Sequence, residues 1–137
     1  MSRIDPLQPA ATEQLLREAI DHQQAGRFQE AGERYLRILQ TDDTHPEANH
    51  QMGRLAVRMG QPGAALAYFS TALDAEPARG QYWLDYIEAL FLAGQIDDAR
   101  QILTLARQQG LYGDEVDALT ARLHSQSPAA QQQDAIH

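Results

Sequence analysis

The chain contains no cysteine, which excludes disulfides, thiolate metal sites and cysteine nucleophiles. Lysine is missing as well, because all 11 basic residues are arginine. That removes a phosphate-loop lysine, a Schiff-base lysine and a Ser–Lys dyad together, and it reads as the composition of a GC-rich genome rather than as a mechanism. Serine is scarce and never sits in a Gly-x-Ser-x-Gly turn, and Gly-rich phosphate loops are absent. Positive charge is in short supply. A net charge of −8 and a pI near 4.9 argue against non-specific binding to nucleic acid or to a membrane surface, both of which need a basic face. No apolar run approaches the roughly 18–20 residues of a membrane span, and the opening Met1-Ser2-Arg3-Ile4-Asp5-Pro6 has no signal-peptide core. A cytoplasmic protein is expected, for a chain not cut from a larger one.

What the sequence does have is a period. Gly26, Gly60 and Gly94 stand 34 residues apart, as do Ala31, Ala65 and Ala99, then Tyr35, Phe69 and Leu103, then Ile38, Ala72 and Ala106. Within the central unit, Asn49, Met52, Gly53 and Ala56 share one helical stripe. Gly60 ends that helix, Pro62 opens the next, and Ala65, Phe69, Ala72 and Leu73 are its buried face. Small residues at Gly53 and Ala65 let the two helices approach closely. The spacing predicts helices over 12–25, 28–41, 46–59, 62–75, 80–93 and 96–109. A seventh, over 112–125, carries Val116, Leu119 and Leu123 as its apolar stripe.

These residues resemble the tetratricopeptide repeat, a helix–turn–helix unit of 34 residues that stacks into a solenoid. The middle unit supplies Asn49, Met52-Gly53, Ala56, Ala65, Phe69, Ala72 and Pro77. The third supplies Trp83, Tyr86-Ile87, Leu90, Ala99, Leu103 and Ala106, and the first Leu15, Glu18-Ala19, His22, Ala31, Tyr35 and Ile38. The resemblance implies an all-α, right-handed superhelical solenoid of three repeats and a C-terminal capping helix. The expected organisation is an N-terminal arm at 1–11, repeats at 12–45, 46–79 and 80–113, the cap at 114–125, and a disordered tail or linker at 126–137. Two departures stand out. Glu18 takes a normally apolar position, as expected at a terminal repeat, and Ile87 replaces a small residue, which should hold the third helix pair further apart.

No chemistry-bearing constellation emerges. The histidines include no His-x-x-x-His pair on one helix face, so no metal or cofactor site is expected, and His22 reads as a packed structural residue. Asp97-Asp98 suit the N-terminus of a helix. Trp83 and Tyr86 coincide with core positions, whereas Tyr82 and Phe91 fall off that stripe, which makes Phe91 a candidate exposed anchor.

The resemblance also implies a concave groove. Its lining would be Glu13, Leu16, Ile20 and Gln23, then Glu47, His50, Arg54 and Val57, then Gln81, Leu84, Glu88 and Phe91, flanked by Arg17, Gln51, Arg58 and Asp85. The partner-binding candidates among these are Leu16, Arg17, Ile20, His50, Arg54, Val57, Arg58, Leu84, Glu88 and Phe91. The Lys/Asn/Arg clamp that holds chaperone C-termini in some members is absent, since Leu16, Ile20, Gln51, Gln81 and Asp85 occupy its positions. The asparagine ladder of the sugar-transferase solenoids is absent too, with Arg17, Gln51 and Asp85 in its place. Arg54 and Arg58 are expected to pair with Asp85 and Glu88 across adjacent helices, each pair contributing about 0.5 kcal/mol.

The sequence thus points to a non-catalytic module that binds a protein or peptide segment, preferably basic or amphipathic, or that self-associates as a homodimer. The alternative is an N-terminal accessory domain of a bacterial glycosyltransferase or related transferase. Gln23-Gln24-Ala25-Gly26-Arg27 and Ala106-Arg107-Gln108-Gln109-Gly110-Leu111-Tyr112-Gly113 look like the short repeat domains that precede such enzymes.

Overall fold

The computed structural model describes residues 9–126. Seven helices account for nearly all of that span: α1 (Pro9–Gln24), α2 (Phe28–Thr41), α3 (Pro46–Arg58), α4 (Pro62–Ala75), α5 (Gly80–Leu92), α6 (Ile96–Gln108) and α7 (Asp114–Ser125). No strand occurs among the described residues. The punctuation is the one the period predicted. Gly26, Gly60 and Gly94 adopt φ of 81°, 78° and 81°, a left-handed conformation that costs other residues a Cβ clash. The amide after each glycine turns back to the carbonyl five residues earlier, Arg27 to His22 (2.8 Å), Gln61 to Ala56 (2.8 Å) and Gln95 to Leu90 (2.9 Å). The same closure therefore ends the first helix of each repeat. Pro46 and Pro62 occupy first-turn positions, where their missing N–H has no helical partner to lose. The His45 ring Nδ1 caps α3 by accepting from the Ala48 amide at 3.0 Å.

The boundaries differ from expectation at the two ends. Helix α1 begins at Pro9 rather than residue 12, again with proline in the first turn. Helix α7 begins at Asp114 rather than 112, because Gly113 holds φ 126° and ψ −177°, a backbone state only glycine adopts readily. Ile4, Leu7 and the tail beyond residue 126 lie outside the described residues.

Within each repeat, one residue of the first helix meets one of the second, and their sizes are complementary. Ala19 packs with Tyr35. Gly53 faces Phe69, and a Cβ on Gly53 would fall 2.5 Å from the ring edge. Ile87 packs with Leu103. Helices α5 and α6, with Ile87 in place of Gly53, approach each other less closely than α3 and α4.

A second buried stripe was not read from the sequence. Leu55 of α3, and Tyr82 and Ala89 of α5, are buried against the preceding repeat, and Ala48 of α3 is buried as well. Tyr82, set off the core stripe above, is 1% exposed and packs with Ala72 and Leu73, whereas Trp83 is only half-buried. The Trp83 indole N–H instead donates to the Pro77 carbonyl at 2.8 Å. The physical reason is that a first helix in a solenoid touches two neighbours, its own second helix and the repeat before it. At the C-terminal end, α7 lays Val116, Leu119 and Leu123 over the third repeat. Arg100 fastens it by donating to the Leu123 carbonyl at 2.8 Å.

Candidate functional site: the concave face

The first helices α1, α3, α5 and α7 lie side by side, so residues one repeat apart become neighbours across the concave face. Three polar links join adjacent first helices at that interval. Tyr82 donates to Glu47 at 3.3 Å, His50 Nε2 meets Asp85 Oδ2 at 2.5 Å, and Arg122 donates to Glu88 at 2.6 Å. Glu47 also accepts from Gln51 at 2.9 Å and lies 3.6 Å from Arg79. Asp85 uses both oxygens, the second accepting from Gln81 at 2.9 Å. Deeper in, Tyr35 donates to the Gln23 side chain at 2.7 Å, a buried bond that ties α2 to α1.

His50 is therefore an interior residue rather than part of an open groove. It is 5% exposed and stacks on Tyr82 with ring centroids 4.5 Å apart. The facing carboxylate fixes its tautomer, because an acceptor opposite Nε2 requires a proton there. Its Nδ1 is buried with no hydrogen-bond partner among the described residues. Burial, and then the nearby Glu47 carboxylate, push the Tyr82 hydroxyl up to about 12. The same two causes, in the same order, raise Tyr35 well above its ordinary value.

The remaining candidates divide by helix. Leu16 and Ile20 of α1, Val57 of α3 and Leu84 of α5 are half-buried on the concave side, while Arg17, Arg54 and Arg58 are exposed there. Phe91 is not an open anchor. The Arg122 guanidinium lies 4.4 Å above its ring while pairing with Glu88, so α7 roofs that end of the groove. The expected pairing of Arg54 and Arg58 with Asp85 and Glu88 does not form, because His50 and Arg122 have taken those acids. Arg58 instead lies over the Phe28 ring at 5.5 Å. Two shallow hollows result. One, of about 220 Å³, is lined by Arg54, Val57, Arg58, Phe69, Asp85 and Glu88. The other, of about 280 Å³, lies between α5 and α7 over Leu84, Leu119 and Arg122. The links missed in the sequence had a signal there, namely complementary residues 34 or 35 positions apart.

A family model for the tetratricopeptide repeat matches residues 56–123. The chain is a tetratricopeptide-repeat protein. No curated protein matches it. Among solved structures, this tetratricopeptide-repeat chain is similar to the first such domain of Spaghetti (RPAP3) bound to an HSP90 peptide, at 12% identity and a TM-score of 0.78, with 87% of this chain and 94% of that one covered. It is also similar to the Yersinia enterocolitica type III secretion chaperone SycD in complex with a peptide of the translocator YopD, at 20% identity and a TM-score of 0.73, covering 95% and 99%. Both likenesses show the fold. A third, to an O-GlcNAc transferase of Thermobaculum terrenum, has 26% identity and a TM-score of 0.65, covering 76% of this chain but 20% of the enzyme. None of the described helices is long and apolar enough to cross a membrane.

Proposed function

We propose that this protein is a non-catalytic interaction module that grips a segment of a partner protein on the concave face of α1, α3 and α5. One observation carries the reading: half-buried Val57 and Leu84 present apolar surface on that face beside the exposed Arg54 and Arg58. Apolar anchors rimmed by charge are how extended or helical segments are usually held. The peptide complexes of the Spaghetti domain and of SycD support the same use of this fold.

A photo-crosslinking amino acid at Val57 tests it, with one at Leu36 on α2, exposed on the opposite side, as control. In cells, Val57 should capture one discrete partner, and the captured segment, resynthesised, should bind the purified protein. Equal capture at Leu36 would remove the reading.

The likeness to the transferase favours a second reading, in which the chain is the recruiting or oligomerising domain of a glycosyltransferase or related enzyme. Self-association as a homodimer is a further proposal, and sedimentation at high micromolar concentration tests it.

A further inference from the structure

Resting on the groove reading, we infer that the segment this protein captures is acidic, carrying several Asp or Glu side chains around one bulky apolar residue. This reverses the expectation drawn from the net charge of −8. The decisive quantity is not the total charge but which groove charges are still unengaged. The two acids of the central hollow are both taken, Asp85 by His50 and Gln81 and Glu88 by Arg122. Its two arginines are not, since among the described residues neither Arg54 nor Arg58 has a carboxylate within ion-pairing distance. Arg17 on α1 is in the same condition and likewise exposed. The unengaged groove acids stand at the margins of the face, Glu13 in the N-terminal half of α1 and Glu115 in the first turn of α7.

The geometry narrows the ligand further. Arg54 and Arg58 are one helical turn apart on α3, about 6 Å, and Arg17 lies on the neighbouring helix. Three separate guanidinium groups call for several carboxylates, more than a single chain terminus provides, so an internal acidic run fits better than a C-terminal tail. Arg58, with its guanidinium carbon 5.5 Å from the Phe28 ring centroid, has N–H groups to offer a carboxylate as a fork. Between the arginines, Val57 and Phe69 floor a hollow of about 220 Å³, which suits one large apolar side chain.

The test is selection of a phage library of random 12-residue peptides, displayed without a free carboxyl terminus, on the full chain. Enriched sequences are resynthesised with amidated ends and titrated by fluorescence anisotropy. Acidic peptides with one bulky apolar residue should be enriched and weaken as salt rises. Arg54→Ala/Arg58→Ala should cost at least about tenfold in Kd, whereas Arg37→Ala on α2 should leave it unchanged, both variants keeping wild-type helicity and melting temperature. A basic or uncharged enriched set that still depends on Val57 would overturn the acidic assignment and leave the groove reading standing. Enriched peptides indifferent to Val57→Asp and to the double arginine variant would overturn both. So would no enrichment at all, since an open face of this kind should select micromolar binders.

Discussion

The second and third repeats have one backbone and two chemistries. At the same positions, Gly53 is answered by Ile87, Phe69 by Leu103, Gln51 by Asp85, Arg54 by Glu88 and Ala48 by Tyr82. In the core the exchanges compensate, so that a glycine under a phenyl ring and an isoleucine beside a leucine both fill the space between paired helices. On the concave face they do not compensate. The third repeat's acids are consumed by His50 and Arg122, while the second repeat's arginines are left facing solvent. Packing therefore constrains the sum of two side chains, and the groove is free to differ repeat by repeat.

The comparison breaks most visibly at Ile87. This side chain is fully buried, and Leu103 alone cannot fill the volume it leaves. Ile87→Ala should destabilise by about 2–5 kcal/mol, measured by urea titration. A loss below about 1 kcal/mol would mean that α5 and α6 close over the vacated volume and leave little cavity behind.

The same position in the second repeat fails in the opposite direction. Gly53→Ala adds a methyl where the Phe69 ring already lies 2.5 Å away, and that ring is itself buried against His50. A cost of about 1–3 kcal/mol is expected, with part of it recovered by adding Phe69→Leu, the third repeat's solution. Additive losses in that double variant would show that the two residues do not share one packing constraint.

Most of the fold was legible because a period of 34 repeats its turn glycines and its paired core residues, and local rules then set each helix end. The second buried stripe was not legible by the same means. Tyr82 and Leu55 are buried by a neighbour one repeat away, and amphipathic periodicity along one helix does not say how many neighbours that helix has. The concave face was legible in membership but not in state. Arg54, Val57, Arg58 and Leu84 do line it, whereas His50 is inside and Phe91 is covered. Deciding those two required knowing that Asp85 reaches back to His50 and that α7 brings Arg122 over the ring.

A smaller effect, seen as a loss of stability only at alkaline pH, separates Tyr82 from its counterpart Ala48. With its hydroxyl pushed up from 10.0 to about 12, the folded state holds that proton more tightly than the unfolded chain does. The resulting stability is complete below about pH 10 and is lost as pH rises through 12. Tyr82→Phe should flatten the stability profile in that window, although Tyr35 leaves a residual slope. An unchanged profile would mean that the hydroxyl is not desolvated as described.

Backbone amide resonances of the full chain, followed during titration with the crosslinked partner segment, report directly on whether a partner sits on the concave face of α1, α3 and α5. Shifts should concentrate at residues 16–20 and 54–58 and on the adjoining face of α5, with α2 and α6 silent. Shifts confined to α2, α4 and α6, or to the Leu123 end of α7, would contradict binding there.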